Sequence, residues 1–467
     1  MKKITRSAFL ALSVLFACSS AFAQEMQEPL RPQFHYTTKK GWINDPIGLV
    51  QYKGEYHIFN DHNVVSTRFP GGRGNGEQSH WCHAISTDLI HWQHMPVALY
   101  PDKNGACWSG SGSVDWKNST GFQTGEEPPL VIAYTSASRG FSQSLAYSND
   151  RGRTWKKYEG NPVQKQIGPD DRDPLVFWHE PTKKWVIVLY VRRGEAQIFN
   201  SDDLKTWTPT SIAKLPGFHE CPDMFELPVD GDEKNKKWVI YDAGFNHWIG
   251  SFDGKTFTPE AGPLRLEYGR SFYAAQSWDN VKGRRINIGW MRFPKFPKLP
   301  WSQQMSFPGE LILKTTPKGI RMFRNPIKEI ESIYGETITK ENLTVTPGEN
   351  PLKDITGDLF DIEMEVSLLK AKRFQLKLND IAIATYLRSK ISSIDSSMSQ
   401  DLVNGKIKLR ILVDRMSTEL FVNDGAIVMS NYFMPEKRGK GLELIAEGGD
   451  IMVHSLRVTK LESAWTR

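Results

Sequence analysis

Three acidic residues stand in settings that could present a carboxylate to a ligand: Asp45 in Trp42-Ile-Asn-Asp-Pro-Ile-Gly48, Asp173 in Asp171-Arg-Asp-Pro174, and Glu220 in His219-Glu-Cys-Pro-Asp223. Two of them directly precede proline. Such a residue is pushed toward extended geometry, and proline cannot donate to a sheet ladder, so both segments are expected at strand ends where a side chain can be aimed at a cavity. Singly the signals are weak, because Asp-Pro is more often a turn and a Glu beside Cys more often a polar rim residue. Gathered together they mean more, since buried like charges are costly unless partnered or protonated. A pair of carboxyls, one ionised for attack and one holding a proton for the leaving oxygen, is what glycosidic cleavage requires. Burial and negative neighbours should act most strongly on the member that holds the proton. Arg172, beside Asp173, can neutralise part of the charge and hold a hydroxyl-rich ligand.

The elements that must position these acids are strands. One phrase occurs four times: Ser86-Thr-Asp-Leu-Ile-His-Trp92, Ser148-Asn-Asp-Arg-Gly-Arg-Thr-Trp155, Ser201-Asp-Asp-Leu-Lys-Thr-Trp207 and Ser251-Phe-Asp-Gly-Lys-Thr-Phe257. Each has a turn-forming Asp before an aromatic residue, and the later copies follow apolar runs such as Trp185–Tyr190 and Trp238–Tyr241. A period of roughly 50 to 60 residues in strand-rich sequence is the mark of propeller blades around a central channel. Cut at that period, the stretch from Phe34 to about Ile320 gives five blades, whose inner strands would bring carboxylates from separate blades to one axis. Trp92, Trp155 and Trp207 are then blade core. Past Arg324 and a linker at Lys328–Ile333, alternating strands such as Leu359–Val366 and Lys406–Val413, with a hairpin turn at Asn423-Asp-Gly425, predict a β-sandwich. The expected organisation is all-β: a leader over 1–23, a five-bladed catalytic propeller over 30–325 and a β-sandwich over 335–467.

The leader reads as an export signal. Lys2, Lys3 and Arg6 precede an apolar run from Ala8 to Ala17 that is too short to span a bilayer, followed by Ala21-Phe-Ala23. Cleavage after Ala23 fits the small-residue rule; Leu15-Phe-Ala-Cys18 is a competing lipoprotein-like box, with an untypical Phe and a lipid anchor on Cys18. The expected location is outside the cytoplasm of a bacterium: periplasmic, secreted or envelope-attached. Removing three basic residues from a net charge of +6 leaves a small surplus that implies no nucleic-acid partner. Fifteen Trp, 14 Tyr and 24 Phe suit short strands and surfaces that stack on sugars. Beyond the leader only Cys82, Cys107 and Cys221 remain, so neither a disulfide framework nor a metal site is expected.

In this order, Trp-Ile-Asn-Asp-Pro-x-Gly, Arg-Asp-Pro and Glu-Cys-Pro resemble glycoside hydrolase family 32, the invertase, inulinase and levanase family. The likeness extends to Trp81–Trp92, Trp108-Ser-Gly-Ser111, Phe272-Tyr-Ala-Ala-Gln276, Gly289-Trp-Met291 and Val413–Gly425, covering the chain from about residue 34 onward. It implies a five-bladed propeller with a sandwich, no cofactor, and a fructose-containing oligo- or polysaccharide as substrate. It also implies roles: Asp45 the nucleophile, Glu220 the acid/base and Asp173 the transition-state stabiliser. A retaining mechanism places the Asp45 and Glu220 carboxyls about 5 to 5.5 Å apart, whereas an inverting one leaves about 6.5 to 9.5 Å for a water. Candidate substrate contacts are Trp42, Asn44, Asp61, Trp81, Trp108, Ser109, Arg172 and Cys221.

Several positions depart from the family's usual letters. Ile47 stands for Asn, Asp61 for Gln, Val64 for Pro, Cys82 for Gly, Ser271 for Asp and Gly309 for Arg, and the loop Arg68–Gln78 lacks the usual Trp. Asp61 could bind hydroxyls or cap that glycine-rich loop. Cys82 and Cys107 are expected to be buried packing. Two other functions remain open on sequence alone: an inverting furanosidase of a related propeller family, and a fructan-binding propeller without turnover. Linkage preference, exo or endo action, fructosyl transfer and oligomeric state are open as well.

Overall fold

The computed structural model describes residues 26–70, 77–293, 295–435 and 440–465; the expected leader and Cys18 lie outside them. The regular structure of the described residues is almost wholly strand, and no helix in it is long and apolar enough to cross a membrane.

The N-terminal part is a propeller of antiparallel sheets. The first sheet holds Gly41–Tyr52, Glu55–Asn63, His80–Ser86 and Gln93–Leu99. The second holds Ala106–Val114, Leu130–Ala137, Phe141–Ser148 and Lys156–Lys157, and the third Arg172–His179, Lys184–Arg192, Glu195–Ser201 and Thr208–Lys214. Next come Asp223–Val229, Asp232–Tyr241, Asn246–Phe252 and Phe257–Arg265. A single parallel bridge from Val229 to Leu313 joins this group to Phe272–Ser277, Ile286–Met291, Gly309–Thr316 and Gly319–Pro326. Trp301–Ser302 pairs in parallel with the start of Gly41–Tyr52 and ties the end of the propeller to its beginning.

The recurring Ser-x-Asp phrase is the turn between the third and fourth strands of the first four groups. Ser86 Oγ accepts from the Asp88 and Leu89 amides and Asp88 Oδ1 from those of Ile90 and His91; Ser201 and Asp203 repeat the pattern. These side chains satisfy turn amides that no strand partner can reach. The repeat tryptophans pack into the sheets, Trp92 beside Trp278 and Trp155 beside Phe59.

The innermost strands carry the site. Gly41–Tyr52 packs against Ala106–Val114, which packs against Arg172–His179, and Phe272–Ser277 packs against both Asp223–Val229 and Gly41–Tyr52. A Cβ on Gly112 would fall 2.7 Å from Gly48 O, so glycine permits the first and second inner strands to approach.

The expected linker forms a 3-10 helix, Lys328–Ile333, that buries Ile330 and Ile333. The β-sandwich beyond it has a six-stranded sheet (Tyr334–Val345, Ile451–Leu461, Phe360–Leu368, Ile407–Asp414, Ser417–Val422, Ile427–Tyr432) facing a five-stranded one (Ser396–Ser399, Lys390–Ser393, Ile381–Leu387, Arg373–Leu378, Leu442–Glu447). Its core is aliphatic and aromatic, with Ile362, Phe374, Leu376, Ile411, Leu420 and Val458 buried.

A buried ionic network joins the two parts. His35 bonds Asp414 through Nδ1 at 2.8 Å and Glu419 through Nε2 at 2.9 Å, and Arg324 Nη1 lies 3.2 Å from Glu419. Burial opposes the charge on His35, but its two carboxylate partners outweigh burial and hold it protonated up to about 9. Gly309, where the resembled family has Arg, leaves room for this network: a Cβ there would lie 2.4 Å from Arg324 Nε.

Candidate active site

The inner strands are irregular at one common level. Ile43 pairs with His62 and Pro46 with Asn60, so Asn44 and Asp45 together face Asp61. Trp108 pairs with Thr135 and Gly110 with Tyr134, leaving Ser109 as an extra residue. Arg172 pairs with Tyr190 and Leu175 with Val188, so Asp173 and Pro174 share Leu189, and Ala274 and Ala275 share Gly289 in the same way. Each interruption is a β-bulge, which bends a strand and re-aims a side chain off the alternating pattern. Asn60 Nδ2 holds the first of them by donating to the carbonyls of Asn44 and Asp45.

Backbone strain gathers at the same place. Asp173, Glu220, Cys221 and Ala274 all have φ between +37° and +61°, a region costing non-glycine residues about 1–3 kcal/mol each. For Asp173 this corrects the extended geometry expected before proline. Its amide donates to Thr135 Oγ1 and its Oδ2 accepts from the Cys221 amide, and these bonds hold the bulged conformation.

A pocket of about 180 Å³ opens at this level, lined among others by Asn44, Asp45, Asp61, Trp108, Ser109, Arg172, Asp173 and Glu220. Ser109 Oγ lies 2.7 Å from both Asp45 Oδ2 and Asp61 Oδ2. Asp61 also accepts from Ser79 Oγ at 3.1 Å, so its carboxylate forms part of the pocket floor. Of its two expected roles, the first has a pocket-lining carboxylate behind it; residues 71–76 of the glycine-rich loop lie outside the described residues. Arg172 reaches two acids, with Nη2 2.5 Å from Glu220 Oε2 and Nε 3.6 Å from Asp173 Oδ2, while its guanidinium stacks 4.8 Å from the Tyr190 ring.

Burial and like charge act on the aspartates of this pocket. Burial raises Asp45, and Glu220 adds to the rise, although bonds from Ser109, Asn44 and Cys221 oppose it. Asp61 is pushed well above the carboxylate range by burial and by Asp45. Asp173 rises to about 7, chiefly through burial, with Arg172 pulling the other way.

Three of the candidate contacts sit elsewhere than in the pocket wall. Trp81 is fully buried between the first and second sheets, its Nε1 donating to Trp108 O, and packs against Phe59 and Tyr134. Its strand turns that side chain into the sheet interior, so it is core rather than a sugar platform. Cys221 is buried behind the acids, its thiol 3.5 Å from both Asp45 Oδ2 and Asp173 Oδ2. Trp42 backs the pocket, donating to Asn44 Oδ1 and packing edge-on against Phe69 and Trp290. Cys82 and Cys107 are buried free thiols, and Ser271 accepts from the Tyr432 amide of the sandwich.

Sequence reasoning missed Phe69, Pro70, Ser79, Tyr273 and Trp290, which complete the wall. The Tyr273 hydroxyl donates to Glu220 Oε1 in a short hydrogen bond. Tyr273 and Trp290 lie inside motifs carrying the family resemblance, the only signal that could have found them. Phe69 occupies the loop in which the usual Trp is missing.

The family model for the glycosyl hydrolases family 32 N-terminal domain matches residues 35–326, and that for the family 32 C terminal matches residues 329–460. The chain is 41% identical to a levanase of Bacillus subtilis (strain 168), covering 98% of this chain and 74% of that protein. It is 30% identical to an extracellular exo-inulinase of Aspergillus ficuum, covering 97% and 99%. The crystal structure of exo-inulinase from Aspergillus awamori superposes with a TM-score of 0.83 at 29% identity, covering 94% of this chain and all of that one. Two family models spanning nearly the whole described chain, together with these relatives, make this protein a member of glycosyl hydrolase family 32.

Proposed function

We propose that the protein is a retaining glycoside hydrolase that cleaves β-D-fructofuranosyl linkages in fructans or sucrose-type sugars. The observation that carries this reading is the meeting of Asp45, Asp173 and Glu220 in one pocket, with Arg172 bonded to Glu220 and beside Asp173. The names of the similar proteins, levanase and exo-inulinase, support the same substrate class.

Asp45 is the nucleophile. It attacks the anomeric carbon of the fructosyl unit while Glu220 gives its proton to the departing glycosidic oxygen, leaving a fructosyl ester on Asp45. Glu220 then takes a proton from water, which attacks the same carbon and releases fructose with its configuration retained. Asp173 accepts hydrogen bonds from ring hydroxyls that tighten as positive charge develops, so its effect falls mainly on turnover. Ser109, Asn44 and the Cys221 thiol hold Asp45 by hydrogen bonds to its two oxygens, which orients it for attack.

Five inner strands run through this level, and the propeller is read as five-bladed, spanning about 30–325 and followed by a sandwich over 335–467. The chain is read as exported through a leader over 1–23, in keeping with the extracellular exo-inulinase it resembles.

The test is product analysis on levan, inulin and sucrose. Release of fructose from at least one, with the β-anomer appearing first by NMR, is expected. First appearance of the α-anomer excludes the retaining reading, and no release from any of the three excludes the hydrolase.

A further inference from the structure

The pocket is rich in carboxylates, yet a cation stacks on one residue of its wall. Arg292 follows Gly289-Trp-Met291 directly, is exposed, and places its guanidinium carbon 4.1 Å from the centre of the Tyr273 ring. Tyr273 lines the pocket and bonds Glu220, so Arg292 covers one face of the residue that holds the acid. Among the described residues the Arg292 side chain has no ion pair and no hydrogen bond, and its five N–H donors are unspent.

The position is nonetheless built. The Arg292 amide donates to Ser271 O at 2.8 Å, and Ser271 Oγ accepts from the Tyr432 amide of the sandwich. Phe293 stacks on Tyr432 with ring centroids 4.7 Å apart, and exchanges hydrogen bonds with Gln303 through its amide and carbonyl. The backbone carrying Arg292 is therefore fastened to both domains, and stacking on Tyr273 limits the directions its side chain can take. A guanidinium held this way loses less freedom on meeting a ligand than a free surface arginine.

On the reading of Glu220 as the acid, the leaving oxygen sits beside Glu220, and the sugar attached to it extends past Tyr273 toward solvent. We propose that Arg292 is a specificity-determining residue for that leaving sugar: its planar fork donates to neighbouring hydroxyls of the unit released from the fructosyl group. The ligand class is a neutral, hydroxyl-bearing aglycone, whereas an apolar aglycone gains nothing from the fork.

The test compares wild-type full-length protein with Arg292→Ala and Arg292→Lys on a fructotriose and on an aryl β-fructofuranoside, whose leaving group carries no sugar hydroxyls. The readout is the ratio of kcat/KM on the triose to kcat/KM on the aryl substrate. That ratio is expected to fall about 10- to 100-fold in Arg292→Ala, mostly through KM on the triose, the loss of a charged donor from a hydrogen-bonded contact. Arg292→Lys, which keeps the charge without the fork, should restore only part of it. A ratio unchanged in Arg292→Ala overturns the assignment, and so does a fall carried by kcat on the triose rather than by KM, because an effect routed through Tyr273 and Glu220 slows protonation of the sugar leaving group, whereas one routed through folding lowers both substrates together. Wild-type protein that cleaves neither substrate overturns the hydrolase reading, and this assignment with it.

Discussion

Asp45 and Asp61 share one hydroxyl: Ser109 Oγ is 2.7 Å from an oxygen of each. A serine hydroxyl has a single proton to donate, so the second short contact needs a proton from the acid side. Burial raises both acids, Asp61 well above the carboxylate range, so Asp61 is the better placed of the two to keep that proton while the Ser109 proton turns to Asp45. A protonated carboxyl offers one donor and one acceptor, much as the amide of the Gln usual at this position in the family would.

Asp61→Asn should therefore keep activity within about tenfold of wild type at the optimum, because an amide preserves the donor. In the wild type, loss of the Asp61 proton at high pH adds a negative charge beside Asp45 and removes the donor to Ser109. The alkaline limb of kcat/KM should accordingly move to higher pH in the variant, as read from a pH–rate profile. An identical limb in both proteins would show that Asp61 keeps its proton across the assayed range, and a loss far beyond tenfold in Asp61→Asn at the optimum would show Asp61 ionised there.

Glu220→Gln should lower kcat on fructans by about 10²- to 10⁴-fold while leaving sugar affinity nearly intact. The loss should be much smaller on a β-fructofuranoside with an activated aryl leaving group, which departs without a proton. Equal losses on both substrates, measured at saturation, would remove Glu220 from the acid role.

Cys221→Ala removes a thiol placed 3.5 Å from both Asp45 and Asp173. The expected result is a fall in kcat of about tenfold with little change in KM, since the thiol orients the acids from behind and does not line the pocket. Cys221→Ser should recover most of it. A change in KM alone would argue for direct sugar contact.

His35 makes stability depend on alkaline pH. Its folded value, about 9, lies above the ordinary imidazole value, so its contribution is complete below about pH 6.5, fades through the interval and is lost above about pH 9. The amount at stake is on the order of 3 kcal/mol. Asp414 and Glu419 are shifted down by His35, so their share has the opposite sense, present above the ordinary carboxylate range and lost as pH falls. Denaturant unfolding across pH 6 to 9.5 should show a steady decline in wild type that is absent in His35→Gln, and a flat wild-type curve would refute it.

Much of this protein was legible in one dimension. The four Ser-x-Asp turns mark sheet after sheet because a turn's hydrogen bonds are made within a few residues, and their spacing survives as a repeat. The three acids were legible for a related reason: bulged, strained backbone beside a proline leaves short motifs. Tertiary packing alone decided which neighbours each acid meets. Trp81 and Trp108 lie in adjacent motifs, but one ring fills a sheet interior and the other lines the pocket, a choice made by the bulge at Ser109 and the approach of a second sheet. Arg172 adjoins Asp173 in sequence and meets Glu220, which precedes the next sheet, only through folding, and Asp61 is raised by burial that no local pattern encodes. Chain neighbours govern backbone geometry, whereas proton affinity and reach are set by charges and solvent exclusion that converge from distant strands.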